Sequence, residues 1–533
     1  MHPITLSCCA CVLALASLAQ GEIISVPYNE IVELPPFVVT KTIEGEHWRY
    51  ATIPGFEILT QCSASESSEI VASLWRGRQL VLPPNLWPHF SIPMTVILFN
   101  QPPNSPVNPH TFDSVRGPGE INRHWTNLIK RTIEDRESFA LNLWGTGFTY
   151  SSTFRFDTRT LLYRRAPTAP LWLSEGLFGS YGLYREGVRW EPGDRQENVH
   201  VGTWHNLEET KKARKLTFAA HRLLNRPKRP FEPSALSPFL PKLETIFEQN
   251  PPTFDDPNYA RWACTAALFV RWGIYGQKAT EAARFWQFAE QACTMPLSEE
   301  IFRGYFGQSY ADVRAELSWY MVIALSEEGL APITVVPPPK LTFRDATGEE
   351  IARLRGEWER IEAYALAKQF PELAASYREQ AARTLNYGYN RGSRNPQLLA
   401  SLGLLALDSG NLKLASQYLE TAVAGHAIGP RVYLEAARLR WATGRIDNTG
   451  TLSAETRAGI IDLLLIAEQQ APSMASVYLL LATAVAQSGA ATPAQTAALQ
   501  RGCQYFPFNA ALQNLVNTSI PRAPREPSTT REE

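Results

Sequence analysis

Side chains able to do chemistry are concentrated between Arg155 and Tyr184, RFDTRTLLYRRAPTAPLWLSEGLFGSYGLY. The stretch carries carboxylates at Asp157 and Glu175, guanidiniums at Arg155 and Arg159, and phenols at Tyr181 and Tyr184, and no histidine stands between His124 and His200. Residues four apart face the same way on a helix, so Arg155 and Arg159 project together. A guanidinium has no lone pair to give and stays charged at any biological pH, so two of them repel a dication. Phe156, beside the first, cannot accept a proton. Asp157 with Glu175 would be the carboxylates of a glycosidase, but nothing in their spacing supports that chemistry. His200 and His205, in His-Val-Gly-Thr-Trp-His, lie five apart on a strand-to-loop stretch and are a weak metal pair. His124, beside Trp125 in a helical-looking stretch, reads as a packed or surface histidine. The chain has no Gly-rich phosphate loop, no G-x-S-x-G elbow and no Cys–His dyad at working spacing.

Pro170-Leu171-Trp172-Leu173-Ser174-Glu175-Gly176-Leu177 resembles the second helix of the gluzincin metallopeptidases, which opens P-x-W-L-x-E-G after an HExxH helix. The later tract from Asn258 to Met321 is similar to that family's carboxy-side helical lobe. The likeness runs from about Glu46 to Leu325. It implies a peptidase-like α+β domain in which Arg155 and Arg159 stand at the two histidine positions, Phe156 at the general base and Glu175 at the third ligand. In the intact motif two His at i, i+4 bind zinc and the Glu activates a zinc-bound water. Here the ligand and base types are missing, so the resemblance implies a scaffold with no catalytic residues, no metal and no cofactor. Zinc belongs only to an alternative with a displaced site, such as one using His200 and His205. Trp172, Tyr181 and Tyr184 are candidates for the wall of the old cleft. Glu175 is expected to pair with Arg155 or Arg159 across the former metal site; the plain alternative is an exposed arginine pair, with Glu175 capping a helix.

Elements that would position these residues follow from patterning. Phe56 to Thr60 and Met94 to Phe99 read as strands, Ser65 to Gly77 as an amphipathic helix, and Glu137 to Phe148 as a further strand. Thr153 to Arg165 and Pro170 to Arg185 have helical character, Val199 to Gly202 is strand-like, and residues 207–325 are mostly helical. The aromatic stripe in that tract, including Trp262, Phe269, Trp272, Phe285, Phe288 and Phe302, is expected to be a packing face rather than a ligand box. Ala331 to Lys340 is Pro-rich and predicts a stiff linker and a domain boundary. Thr347-Gly348-Glu349-Glu350 fits a capping box. Ala- and Leu-rich helices follow to about Leu515 and resemble tetratricopeptide repeats. Leu402-Gly403 with Ala415, Leu419 and Ala422 form one unit, Gly410-Asn411 its turn, and further units start near Pro430 and Pro472. The fold class is therefore an α+β amino-terminal domain with a helical lobe, then an all-α repeat domain. The boundaries are 20–185 for the mixed core, 186–330 for the lobe, 331–345 for the linker, 346–520 for the repeats and 521–533 for a disordered tail.

At 533 residues the chain has room for several domains, and 44% hydrophobic content supplies their cores. A net charge of −1 gives no bulk attraction to nucleic acid or an anionic membrane. Residues 1–19 read as a signal peptide, apolar from Leu6 to Leu18 with Ser17-Leu18-Ala19 before the cleavage point, although its start carries His2 and no Lys or Arg. Export, periplasmic or extracellular, is thus expected, with no transmembrane segment in the mature chain. The mature cysteines, Cys62, Cys264, Cys293 and Cys503, lack metal spacing and read as buried thiols, with a Cys264–Cys293 disulfide as the alternative. The leading function is protein or peptide binding by a non-catalytic pseudopeptidase. An active zinc peptidase with a non-standard site and a structural envelope scaffold are the rivals.

Overall fold

The computed structural model describes residues 47–81, 92–100, 127–133, 136–142, 162–164, 166–180, 184–185, 189–190, 240–247, 251–253, 256, 258–275, 279–325, 338–369, 371–446, 451–489 and 491–519. The expected leader, Arg155, Phe156, Arg159, Tyr181, His124, His200, His205 and the tail from 521 lie outside the described residues. The chain is mostly helical, with one small mixed sheet near its amino end.

That sheet begins with a hairpin, β1 (Arg49–Ile53) and β2 (Phe56–Thr60), joined through Pro54-Gly55. Proline presets the first turn position, and Gly55 takes the positive φ of 77° that the second demands. Helix α1 (Ala64–Val81) starts on a capping box, because Ser63 Oγ accepts from the Glu66 amide at 3.2 Å and Glu66 Oε2 accepts from the Ser63 amide at 3.1 Å. It crosses over to β3 (Met94–Phe99), parallel to β2. Every residue of β3 is buried, the mark of a strand covered on both faces. β4 (Asn127–Ile133) and β5 (Arg136–Asn142) pair antiparallel, and β5 runs parallel to β3. The patterning missed β4, since Lys130-Arg131 interrupt its apolar run; the strand expected from Glu137 begins one residue earlier.

The remaining strand comes from far along the chain. β8 (Arg344–Asp345) pairs with β1 and completes the order β4-β5-β3-β2-β1-β8. Its approach, Leu341 and Phe343, packs with α1 and the strand residues Ile53, Phe56, Val96 and Leu98 on one face. The other face carries Glu57, which forms a two-point ion pair with Arg353 of α7 (Gly348–Gln369), while Tyr50 donates to Glu57 at 2.7 Å. The last residues of the expected linker, Arg344 and Asp345, are thus a strand of the sheet, and the next helix covers that sheet.

Helix α2 (Leu171–Ser180) ends earlier than expected. Tyr184–Arg185 instead forms strand β6, paired with β7 (Arg189–Trp190), just after Gly182, a poor helix former. The helical lobe follows: a 3₁₀ turn at Leu243–Ile246, then α3 (Tyr259–Tyr275), α4 (Ala279–Ala292), α5 (Glu299–Phe306) and α6 (Tyr310–Leu325). Trp262, Phe269, Trp272, Phe285, Phe288 and Phe302 are all buried there, so the aromatic stripe is a packing face as expected.

Beyond β8 the helices form hairpins. α7 packs on α8 (Pro371–Asn390), α9 (Pro396–Asp408) on α10 (Leu412–Ala424), and α11 (Pro430–Thr443) on α12 (Ala454–Gln470). Then come α13 (Ala475–Ala486), α14 (Pro493–Tyr505) and α15 (Ala510–Ser519). Ala415, Leu419 and Ala422 are fully buried. Gly403 lets α10 approach, since a methyl there would meet the Leu419 side chain at 2.8 Å. Gly410 has φ 79° and Asn411 caps α10 by accepting from the Leu414 amide at 3.2 Å. The capping box at Thr347 and Glu350 is formed as expected. The insertion after α11 is a small hairpin, β9 (Arg445–Ile446) with β10 (Thr451–Leu452).

Candidate functional site

The helix that carries Glu175 starts after Pro170, where a missing amide proton costs nothing. Its buried face sets Trp172 edge-on to Phe247 and Phe269, with ring centroids 5.3 and 5.6 Å away. Trp172 is 2% exposed, so it is a core residue and does not wall a cleft as expected. Ser174 takes a hydrogen bond from the Tyr163 hydroxyl at 3.2 Å, tying α2 to the turn before it. Glu175 is 3% exposed and Gly176 follows it into the contact with α3. A methyl at Gly176 would lie 2.3 Å from Val270 Cγ2 and 2.8 Å from the Ala266 carbonyl oxygen. The glycine of the Glu-Gly pair is thus a close-approach residue, and the glutamate beside it is buried.

Of the other cleft candidates, Tyr184 lies on β6 opposite Trp190, while Tyr181 falls outside the described residues. Among the described residues no group of three His, Cys, Asp or Glu side chains is placed to hold a metal ion. Of the four positions singled out in the sequence, Glu175 is the one whose side chain can donate an electron pair to a metal; Arg155, Phe156 and Arg159 cannot. None of the four described cysteines is in a disulfide, so Cys264 and Cys293 are not joined. Burial pushes the Cys62 thiol up to about 12, which keeps it protonated at neutral pH.

Next to α2 lies a cavity of about 490 Å³, bounded by the turn before α2, by α4 and by α14. Its floor is apolar, from Leu162, Leu173, Trp286 and Ala289, and Glu290 and Arg501 supply charge at its edges. Arg501 is held in place: its Nε and Nη2 each donate to the Glu468 carboxylate at 2.8 Å. Glu468 is 3% exposed on its side chain and also accepts from the Tyr478 hydroxyl at 3.3 Å. The Glu468 hydrogen bonds push the Arg501 pKa up, so the guanidinium is a fixed cation. Thr168 closes another side by donating to the Cys293 carbonyl at 2.7 Å. Patterning did not find this cavity, because its walls come from three stretches far apart in the chain.

A second feature absent from the sequence reading is a buried ionic network along α7. Arg360, 1% exposed, donates to Glu357 at 2.9 Å and reaches Asp408 of α9 at 3.4 Å. Asp408 also accepts from Arg431 of α11 at 2.9 Å, and that guanidinium sits 5.1 Å over the Tyr364 ring. Ser401 of α9 donates to Glu357. Burial pushes the Glu359 carboxyl up, against the opposing pull of Arg355. These groups connect the first helices of three successive hairpins.

No protein family matches the chain, and comparison with curated proteins and with solved structures finds no match.

Proposed function

We propose that the chain is an exported, non-catalytic binding protein, in which a gluzincin-like region and a tetratricopeptide-like array engage peptides or extended protein segments. The observation that carries this reading is the set of residue types around Glu175. Two guanidiniums and a phenyl ring stand where the resemblance puts two metal ligands and a general base, and the sequence has no histidine between His124 and His200. Burial of Glu175 and the tight contact at Gly176 fit a helix kept for packing. In this reading Glu175 pairs with Arg155 or Arg159 and holds its helix to the one before it.

Binding surfaces support the second half of the reading. Among the described residues β4 is at one edge of the sheet, a position to which an extended chain adds by backbone hydrogen bonds. The stacked hairpins present the surface of a repeat array. The cavity beside α2 has the size of a ligand pocket, a class that spans roughly 300–1,000 Å³.

The test is retention and integrity of peptides. Chymotryptic peptides of reduced, alkylated casein, which end mainly in large apolar residues, are incubated with the full chain, with and without zinc, separated by size exclusion and read by mass spectrometry. A subset of peptides is expected to co-elute uncleaved, equally in both conditions. Zinc-dependent cleavage, or no retention at all, would overturn the proposal.

A further inference from the structure

We infer that the cavity between α2, α4 and α14 binds the apolar carboxy-terminal residue of a peptide, with its terminal carboxylate on Arg501 and its side chain over Leu162, Leu173 and Trp286. This rests on the peptide-binding reading above and names the part of the peptide that the cavity takes.

Arg501 decides the polar end. Two of its three nitrogens are committed to Glu468, and its Nη1 has no hydrogen-bond partner among the described residues. Bidentate anchoring to a buried carboxylate removes the freedom that an arginine side chain otherwise loses on binding, so the remaining N–H groups are preorganised for an acceptor. A terminal carboxylate carries one charge and two acceptor oxygens, which matches one donor edge. A phosphate carries more charge, and Glu290 on the same cavity would repel it more strongly.

The apolar floor decides the other end. Leu162, Leu173 and Ala289 are buried at 3%, 2% and 2%, and half-buried Trp286 offers a ring to the cavity. About 490 Å³ accommodates one large side chain with the backbone on either side of it. A charged terminal side chain would lose its hydration against this floor with nothing to replace it.

The probe is a fluorescein-labelled hexapeptide ending in Ala-Ala-Leu, made as the free acid and as the carboxy-terminal amide. Fluorescence anisotropy is measured with the full chain and with the Gln504→Trp and Arg501→Gln variants. Gln504 is an exposed residue on the cavity wall, and a tryptophan there occludes the opening without breaking the Arg501–Glu468 pair. Wild-type protein is expected to prefer the acid over the amide by at least about tenfold, the loss of one charge-assisted hydrogen bond. Arg501→Gln erases that preference, and Gln504→Trp weakens both peptides. Equal affinity for acid and amide, or undiminished binding by Gln504→Trp, overturns the site. If Arg501→Gln fails to fold, the acid–amide comparison and Gln504→Trp still decide. Casein peptides that bind while neither hexapeptide does would overturn this site and leave the wider reading standing. Binding of none of them would overturn both.

Discussion

At the scale of single residues, Gly176 and Arg501 carry most of the account. Gly176→Ala forces a methyl into Val270 and the Ala266 carbonyl, so α2 must move away from α3. Overpacking of this kind costs about 1–3 kcal/mol, and urea denaturation should show a lowered midpoint, by that free energy divided by the slope, with the slope unchanged. An unshifted midpoint would mean that α2 and α3 are not packed closely there. The Trp-Leu-Ser-Glu-Gly run was legible in the sequence as a helix with special residues, because tryptophan, glutamate and glycine rarely share a short apolar run without a reason. Its direction was not legible: Trp172 looked like a cleft residue, and only the surrounding Phe247, Phe269 and Phe288 rings make it core. Arg501 was not legible at all. Nothing local distinguishes it from a solvated helix arginine until Glu468 and Tyr478 are seen behind it.

At the scale of elements, helix α7 contradicts the usual reading of charge. A helix rich in Glu and Arg reads as solvent-facing, yet Arg355, Glu357, Glu359, Arg360 and Glu362 are all buried. Burial is tolerable because opposite charges meet, Arg355 with Glu359 and Arg360 with Glu357 within α7, and Asp408 serving Arg360 and Arg431 together across helices. Asp408→Ala leaves two buried guanidiniums without that carboxylate. Breaking a buried ion pair from one side typically costs ~3–5 kcal/mol, so thermal unfolding should move down markedly. A change no larger than that of a surface control, Glu379→Ala, would show that the network contributes little. The hairpin of α9 and α10 was readable in advance, because Gly403, Gly410 and Asn411 each have a local job, at the close approach, the turn and the cap. Strand β4 was not, since its pairing with β5 is a long-range fact that Lys130-Arg131 disguise.

At the scale of the whole molecule, the chain beyond the Pro-rich segment returns β8 to the sheet edge and lays α7 over its face. The amino-terminal sheet and the carboxy-terminal helices are therefore joined through β8 and α7. A fragment of residues 20–330 lacks both the edge strand and the covering helix. It is expected to show no cooperative urea transition in near-ultraviolet circular dichroism; a transition matching that of the full chain would contradict that dependence. Among the described residues no helix is long and apolar enough to cross a membrane. The central claim is that the peptidase-like region binds and does not hydrolyse, and zinc content tests it most directly. Protein purified without affinity histidines is incubated with zinc, dialysed and analysed for metal. The account predicts zinc far below one ion per chain, unchanged in Glu175→Gln. Zinc close to one per chain, lost in Glu175→Gln, would contradict it and make the chain a metallopeptidase to be assayed as such.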